Sequence, residues 1–447
     1  MPIMSLNVDT MRTIDRLAGI PLCAIATPIV AAIDWWRLRQ QRLNKLSYRS
    51  QNDSTDSSLA FQPKKILFIE LSEMGSAILV DPAMRDAQAR GAELYFLIFK
   101  SNQPSLTLLN TVSPDHIFTI DSSGLRPLVR DTLRFLWWAR QNQVDTVIDL
   151  ELFSRFTALL TGLSGATRRV GYHIFHGEGL WRGNMLTHKV HYNSHIHIAH
   201  NFLSLVYAAF STEQEVPFSK VALSAQPIKL AQANIHAPQR LKVLSQIESA
   251  AQQANIPFTL NQQPLFLVNA NASDLLVQRR WAPERFAALT QAVEQMWPDA
   301  LILLTGSPSE FAYVENVRAQ ANVKNALNWA GKVTFNELPA LYSLADVMVT
   351  NDSGPGHFSA VTALHTVVLF GPETPELYGS LGNSIAITAR LACSPCVSAA
   401  NHRKTPCSNN VCMQAIRVEQ VLEAISHQFT ASKSVSKTVP ESIPRPI

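Results

Sequence analysis

Asp352, Ser353, Gly354, Gly356 and His357 stand within six residues of one another, directly after the apolar run "DVMVTN". Side chains that hydrogen-bond, glycines that admit close backbone approach and a histidine in the first turn of a helix together suit a phosphate. A helix start adds unpaired N–H groups and a partial positive charge. The same residues also make an ordinary capped turn, so the stretch alone leaves both readings open. Arg279 and Arg280 precede Trp281 and a helix start at Pro283. Guanidinium forks match phosphate oxygens, although an isolated pair also reads as solvated surface. "LLTGSPSE" (Leu303 to Glu310) ends a strand with Gly306 at the turn and Glu310 within reach of a ribose hydroxyl.

Two other clusters invite metal chemistry. Cys393, Cys396, Cys407 and Cys412 could form a four-thiolate zinc site or a disulfide, but their unequal spacing favours free thiols closing a loop. His173, His176, His188, His191, His195, His197 and His200 crowd one stretch that lacks Cys or Asp and enters a helix. Cleft lining or a solvated helix start suits them better than a metal.

These groups need a frame. The chain has 447 residues, 47% hydrophobic and 16% charged, with formal net charge +4. That is a globular composition of two-domain length. The mild positive charge suits an anionic substrate or a membrane surface, and without long Lys/Arg runs in the body it gives no case for nucleic acid. Short apolar strands alternate with helices: "KKILFIEL", "AELYFLIF" and "DTVIDL" first, then "PLFLVNA", "ALILLTG", "DVMVTN" and "TVVLFG". This is the pattern of two doubly wound parallel sheets, whose ligands lie beyond the carboxyl ends of the strands. "GATRRVGYHIFHGEG" (Gly165 to Gly179) reads as a turn-rich, cleft-lining loop.

Ahead of both sheets, Leu17 to Ile33 carries no charge, and Gly19, Pro21 and Pro28 interrupt it. Trp35 and Trp36 follow, then Arg37, Arg39, Arg42, Lys45 and Arg49 without an acid. The run sits at the short limit for a spanning helix. A segment lying in the bilayer face is the expected form, with tryptophans at the headgroups and basic residues on anionic lipid. A cleaved signal peptide and a helix packed on the protein's own surface are the alternatives.

"TNDSGPGHFSAVTALHTVVLFGP", with "RRWAPERFAAL", "LLTGSPSE", "AGKVTFNELPALYSLAD" and "CSPC…CSNNVCM", resembles glycosyltransferase family 9, the heptosyltransferase-like enzymes of lipopolysaccharide assembly. The likeness covers about Lys64 to Met413. It implies an α/β GT-B fold of two facing Rossmann-like domains, with donor on the C-terminal domain and acceptor on the N-terminal one. It further implies that Asp352, Ser353, Gly354 and His357 contact the donor diphosphate and sugar, with the helix start at Gly356. Arg279, next to Arg280, takes the place of the family's usual lysine, and Glu310 sits near the ribose. No metal or other cofactor is implied, because basic side chains and a helix N-terminus stabilise the leaving group.

The expected organisation is a membrane-associating segment (1–49), a linker (50–63) and an acceptor-side domain (64–224). A connector (225–263), a sugar-nucleotide-binding domain (264–430) and a disordered tail (431–447) follow. The sequence departs from the family after the first strand. Where the family reads Gly-Asp, "IELSEMGSAILVDPAM" places Ser76 at the position of the Asp base. Glu73, three residues earlier, is the expected substitute. Glu70 lies at the strand end, and Asp81 before Pro82 reads as a helix cap.

The resemblance therefore implies an inverting, metal-independent transferase acting at the cytoplasmic face of the inner membrane. It would move a sugar, in the family a heptose, from a nucleotide diphosphate to a lipid-linked or saccharide acceptor. The loss of the Asp motivates a second reading, a non-catalytic sugar-nucleotide-binding subunit. The shared fold alone raises a third, a nucleotide-sugar epimerase.

Overall fold

The computed structural model describes residues 8–49, 61–71, 73–175, 180–212, 216–220, 222–223, 227–272, 274–398, 401 and 403–436. The chain divides into two compact units, Met1–Leu106 with Asn110–Pro227, and Thr107–Leu109 with Ile228–Ile447.

The first unit begins with α1 (Val8–Leu17) and α2 (Gly19–Arg49). Then come β1 (Lys65–Ile69), α3 (Met74–Leu79), α4 (Asp81–Ala89), β2 (Glu93–Phe99), α5 (Pro104–Thr107), β3 (Ile117–Ile120) and α6 (Leu125–Gln141). β4 (Thr146–Asp149), α7 (Arg155–Leu163), β5 (Arg168–Tyr172), β6 (His188–Val190) and α8 (Ile198–Phe210) complete it. The sheet runs β3-β2-β1-β4-β5-β6, with every neighbouring pair parallel. Its central strands carry continuous apolar runs because helices cover both faces. Leu67, Ile69, Leu97 and Val147 pack with Phe135 of α6 in one such layer. Strand order reverses between β1 and β4, where Ile69 pairs with Asp149, and the crevice of a doubly wound sheet opens there.

β5 occupies part of the expected turn-rich loop. Two successive arginines masked it in the sequence. One of them, Arg169, is fully buried and paired with Asp34 of α2.

α1 ends just before Gly19, the first expected interruption, and α2 starts there and is continuous through Pro21 and Pro28. Pro21 falls in the first turn, where its missing N–H is not needed. Pro28 and Ala24, whose carbonyl it leaves unbonded, are both exposed. Gly19, Cys23, Ala26 and Val30 form a small-residue stripe turned onto α7. A Cβ at position 19 would stand 2.8 Å from Arg155 Cβ, so this contact needs glycine. Asp15 of α1 accepts the Arg155 and Phe156 N–H groups at 2.8 and 3.0 Å, which caps α7 from a distant segment. Arg37 donates to the Gly165 carbonyl at 3.0 Å. The segment is therefore docked on its own unit along one face. Leu22, Ile25, Ile29, Ile33 and Trp36, a second stripe at helical spacing, remain exposed.

The second unit comprises α9 (Ala237–Gln253), β7 (Leu265–Asn269), α10 (Pro283–Met296), β8 (Leu301–Leu304), α11 (Phe311–Ala321), β9 (Ala326–Asn328) and α12 (Leu338–Leu344). It continues with β10 (Val347–Asn351), α13 (Gly354–Phe358), β11 (His365–Phe370), α14 (Pro375–Tyr378), β12 (Ser384–Thr388), α15 (Val411–Gln414) and α16 (Val418–Ser436). The parallel sheet order β12-β11-β10-β7-β8-β9 repeats the topology of the first unit. Its reversal point lies between β7 and β10. α16 extends through residues 431–436, where disorder was expected. The Phe429 ring packs at a tilt against Phe266, 5.4 Å between centroids, and Lys433 Nζ stands 2.6 Å from Asp346, so the helix is held almost to its end. Residues 437–447 and linker residues 50–60 lie outside the described residues.

Candidate functional site

At the reversal point of the second unit, side chains stitch the strand ends together. Asn351 Nδ2 donates to the Ala270 and Asn271 carbonyls at 3.0 and 3.2 Å, and its Oδ1 accepts the Trp281 N–H at 3.0 Å. Arg280 donates twice to the Ala272 carbonyl, at 3.0 and 2.7 Å, so it shapes the loop after β7. Trp281 is fully buried, with its indole N–H on the Ile416 carbonyl. These bonds fix where the next residue, Arg279, points.

Arg279 lies among carboxylates. Its Nη2 is 3.0 Å from Glu373 Oε1, and its Nε faces Asp352 at 3.5 Å. Arg403 shares the same Glu373 oxygen at 3.0 Å and stacks over the Tyr378 ring at 4.8 Å. Two guanidiniums and two carboxylates make a neutral quartet, with Glu373 and Asp352 buried and each arginine partly accessible. Asp352 faces Arg279 as an ion-pair partner, and Arg279 Nε is buried with no hydrogen bond among the described residues. Each guanidinium has five donors, which leaves capacity for an anion.

The structure sorts the remaining expected residues. Ser353 bonds the Asn351 carbonyl at 3.1 Å and faces the Thr350 hydroxyl at 3.2 Å. Gly354 is needed for packing, because a Cβ there would meet the Phe358 ring at 2.8 Å. The Gly356 N–H donates to the Ser353 carbonyl at 3.1 Å rather than pointing outward. His357 is half-buried in α13. Glu310 closes a capping box on Ser307, accepting its N–H at 2.7 Å. Nearby, Asn271 Nδ2 is buried with no hydrogen-bond partner among the described residues. Glu373, Arg403 and Asn271 were missed. A scan of polar residues at every strand end would have flagged Glu373, three residues past β11.

At the reversal point of the first unit, Glu73 precedes α3 in extended conformation, and the Ser76 hydroxyl donates to its Oε2 at 3.3 Å. Behind it, Glu70 is buried against Glu151. Burial first, then the charges of Glu151 and Glu73, push the Glu70 carboxyl well above the usual range. Glu151 also accepts the Leu71 N–H at 3.1 Å. Asp81 is buried and bonded to Arg85 and Thr111 at 2.9 and 2.6 Å, and it opens α4 at the first helical position, with Val80 at the N-cap. Of the carboxylates on the loop after β1, Glu73 alone combines partial exposure with a hydroxyl partner. Glu151 went unnoticed because a glutamate after a strand carries no pattern by itself.

The metal-like clusters disperse. All four clustered cysteines are free thiols, and burial raises that of Cys412. Burial lowers the pKa of His173 and His200, and burial with Arg168 and Arg169 takes His188 down to about 4. His197 caps α8 through the Ala199 N–H. Among the described residues, no group of three or more His, Cys, Asp or Glu is placed to hold a metal ion. His176 lies outside them.

Two parallel α/β units of the same 3-2-1-4-5-6 order, each with charged groups at its reversal point, define the GT-B class. The profile of glycosyltransferase family 9 (heptosyltransferase) matches residues 134–405, more than half the chain, and the chain belongs to this family. It is 29% identical over 189 residues to lipooligosaccharide heptosyltransferase 2 of Campylobacter jejuni serotype O:2, covering 40% of this chain and 57% of that protein. The match thus spans little more than half of that relative. The structure of Escherichia coli ADP-heptose lipopolysaccharide heptosyltransferase II superposes with TM-score 0.63 at 18% identity, over 83% of this chain and 99% of that one. An Escherichia coli heptosyltransferase solved with ADP gives TM-score 0.54 at 16% identity, over 81% and 99%.

Proposed function

We propose that this protein is an inverting glycosyltransferase that moves a heptose from an ADP-linked donor to a saccharide acceptor of a lipid-anchored envelope glycan. The observation that carries this reading is the Asp352–Arg279–Glu373–Arg403 quartet at the reversal point of the second unit, in a family 9 chain. The names of the related proteins supply the donor and the glycan.

The second unit binds the donor. Arg279 and Arg403 meet the diphosphate, Asn271 offers its buried amide to the nucleotide, and His357 lies one turn into α13. The first unit binds the acceptor. The acceptor oxygen attacks the anomeric carbon, the bond from that carbon to the diphosphate oxygen breaks, and configuration inverts. The hydroxyl proton passes to Glu73, and the arginines neutralise charge growing on the departing ADP. Glu73 in the carboxylate form needs no metal to do this.

The docked α2 presents its exposed apolar stripe to a bilayer, with Trp35, Trp36 and Arg39 at the headgroup level. Residues Gly19–Gln40 are long and apolar enough to cross a membrane, but the ion pairs of Asp15 and Asp34 hold the segment against its own unit. A peripheral position on the cytoplasmic face of the inner membrane follows.

The test is ADP release from ADP-heptose with crude glycolipid acceptor, on wild type, Glu73→Gln and Arg279→Ala. Turnover lost in Glu73→Gln with donor affinity kept supports the transferase. Donor binding without turnover for any acceptor would support the non-catalytic subunit instead.

A further inference from the structure

One cavity in the first unit has no role in the chemistry above. It measures about 350 Å³ and lies beyond the ends of β4 and β5, lined by Ile174, Leu180, Trp181, Met185 and Leu186, with Ala158 of α7. That is more than twice the about 150 Å³ that suffices to hold benzene in an apolar cavity. Its polar lining is formed by Tyr172, His173, Asp149 and Arg182.

Among Tyr172, Asp149 and Arg182 the polar groups are almost all satisfied. Arg182 donates to Asp149 and to the Tyr172 carbonyl, both at 2.8 Å, and Asp149 also accepts from Thr157 and from the Glu151 N–H. The exception is the Tyr172 hydroxyl, which is buried without a hydrogen-bond partner among the described residues. A sugar ring would bring several hydroxyls into a wall that offers few partners, each costing desolvation free energy. A ligand with a long apolar body and one polar end matches both the wall and the single unused hydroxyl.

The cavity also borders the docked helix. Met185 packs with Cys23, Ala26 and Val30 of α2, and a Cβ at Gly183, whose φ is +78°, would stand 2.8 Å from Thr27 Oγ1. The space thus sits beneath the segment whose opposite stripe is apolar and exposed.

We propose that this cavity binds one fatty acyl chain, its polar end hydrogen-bonded to the Tyr172 hydroxyl. The site stands on its own geometry. Whether the chain belongs to the acceptor or to surrounding lipid is decided by experiment, and only that assignment rests on the proposed activity.

The experiment titrates the full chain with the fluorescent fatty acid cis-parinarate. Wild type binds it saturably. Leu180→Trp and Ile174→Trp, which fill the cavity from its half-exposed wall, each weaken binding at least tenfold, and Tyr172→Phe weakens it several-fold. Ile29→Glu, on the outer stripe of α2, leaves it unchanged. Unchanged affinity in both tryptophan variants with wild-type Tm, or loss of binding in Ile29→Glu, overturns the proposal. A second arm compares transfer by Leu180→Trp to an acylated acceptor and to its deacylated form. A fall with the acylated form alone assigns the chain to the acceptor. No fall with either, alongside lost parinarate binding, assigns it to surrounding lipid. If wild type turns over neither acceptor, the transferase reading fails, and the acyl site is judged by parinarate alone.

Discussion

The Ser76 hydroxyl donates to Glu73 Oε2 at 3.3 Å. The residue that stands where the resemblance implies a base is thus bonded to the carboxylate we propose in its stead. A serine here positions the carboxylate three residues upstream. Glu73→Gln keeps the hydrogen bond and removes the base, so kcat falls by about 10²–10⁴-fold with the KM for donor unchanged. Ser76→Asp in the Glu73→Gln background returns a carboxylate to the same loop and recovers part of the rate. Steady-state ADP release measures both, and an unaltered kcat in Glu73→Gln would remove Glu73 from the chemistry.

Glu373 holds two arginines at one oxygen, and neither is a neighbour in sequence. Glu373→Gln leaves both guanidiniums less well paired and free to turn. Donor affinity then falls by about tenfold while kcat at saturating donor changes little. Calorimetric titration with ADP reads the first quantity and saturation kinetics the second. Arg279→Lys keeps the charge but loses the fork, and a smaller loss than Arg279→Ala is expected.

How far the sequence announced all this varies with the kind of force involved. The central strands were legible because a parallel sheet buried on both faces admits only continuous apolar runs, as in "LFLVN" and "VMVTN". Both ends of α10 were legible from its Pro283 start and apolar spacing. β5 was not, because Arg168 and Arg169 look solvated until the end of α8 supplies carbonyls to the first and α2 supplies Asp34, from 135 residues away, to the second. The continuity of α2 through Pro28 was hidden for a related reason, since docking on α7 offsets the missing hydrogen bond. At the site, Asp352 and Arg279 were visible as types, but their ion pair was not. Glu373 and Arg403 acquire meaning only when the fold brings them to the same place.

Glu70 and Asp149 are buried acids, and burial raises the pKa of each. Between the unfolded value, near 4.5 for glutamate, and the raised folded value, the native state keeps a proton that the unfolded state has lost. Their contribution to stability therefore declines as pH rises through that window. Glu70→Gln mimics the neutral acid and keeps a donor for Glu151. Its Tm advantage over wild type is expected to be small near pH 4.5 and to grow toward neutral pH. Calorimetry across that range checks the sign, and a constant offset would mean that Glu70 ionises normally.

The exposed stripe of α2 predicts a clean separation of binding from folding. Ile25→Glu with Ile29→Glu alters only outward side chains, at 60% and 48% exposure, so Tm stays within about 1 °C of wild type. Binding to vesicles containing anionic lipid falls at least tenfold, because apolar burial and attraction to the basic end act together. Sedimentation with such vesicles, at low and high salt, measures it. Equal sedimentation of the double variant would exclude the stripe as the contact.

Removing residues 1–49 altogether is a poorer test, because it strips partners from the first unit. Arg169 is 2% exposed and loses Asp34, while Arg155 loses Asp15 and the first turn of α7 keeps only its Ser154 cap. The single change Asp34→Ala isolates one of these losses by leaving a guanidinium buried beside the Met185 and Ala166 carbonyls it already bonds. Stability falls by about 2–3 kcal/mol, less than for a fully enclosed pair, because Asp34 is 31% exposed. Replacing both partners, Asp34→Leu with Arg169→Met, removes the uncompensated charge and returns most of that loss. Urea unfolding of the four proteins completes the cycle. Limited proteolysis shows in parallel whether residues 8–49 become cleavable in Asp34→Ala alone, as expected if the ion pair is what keeps α2 docked.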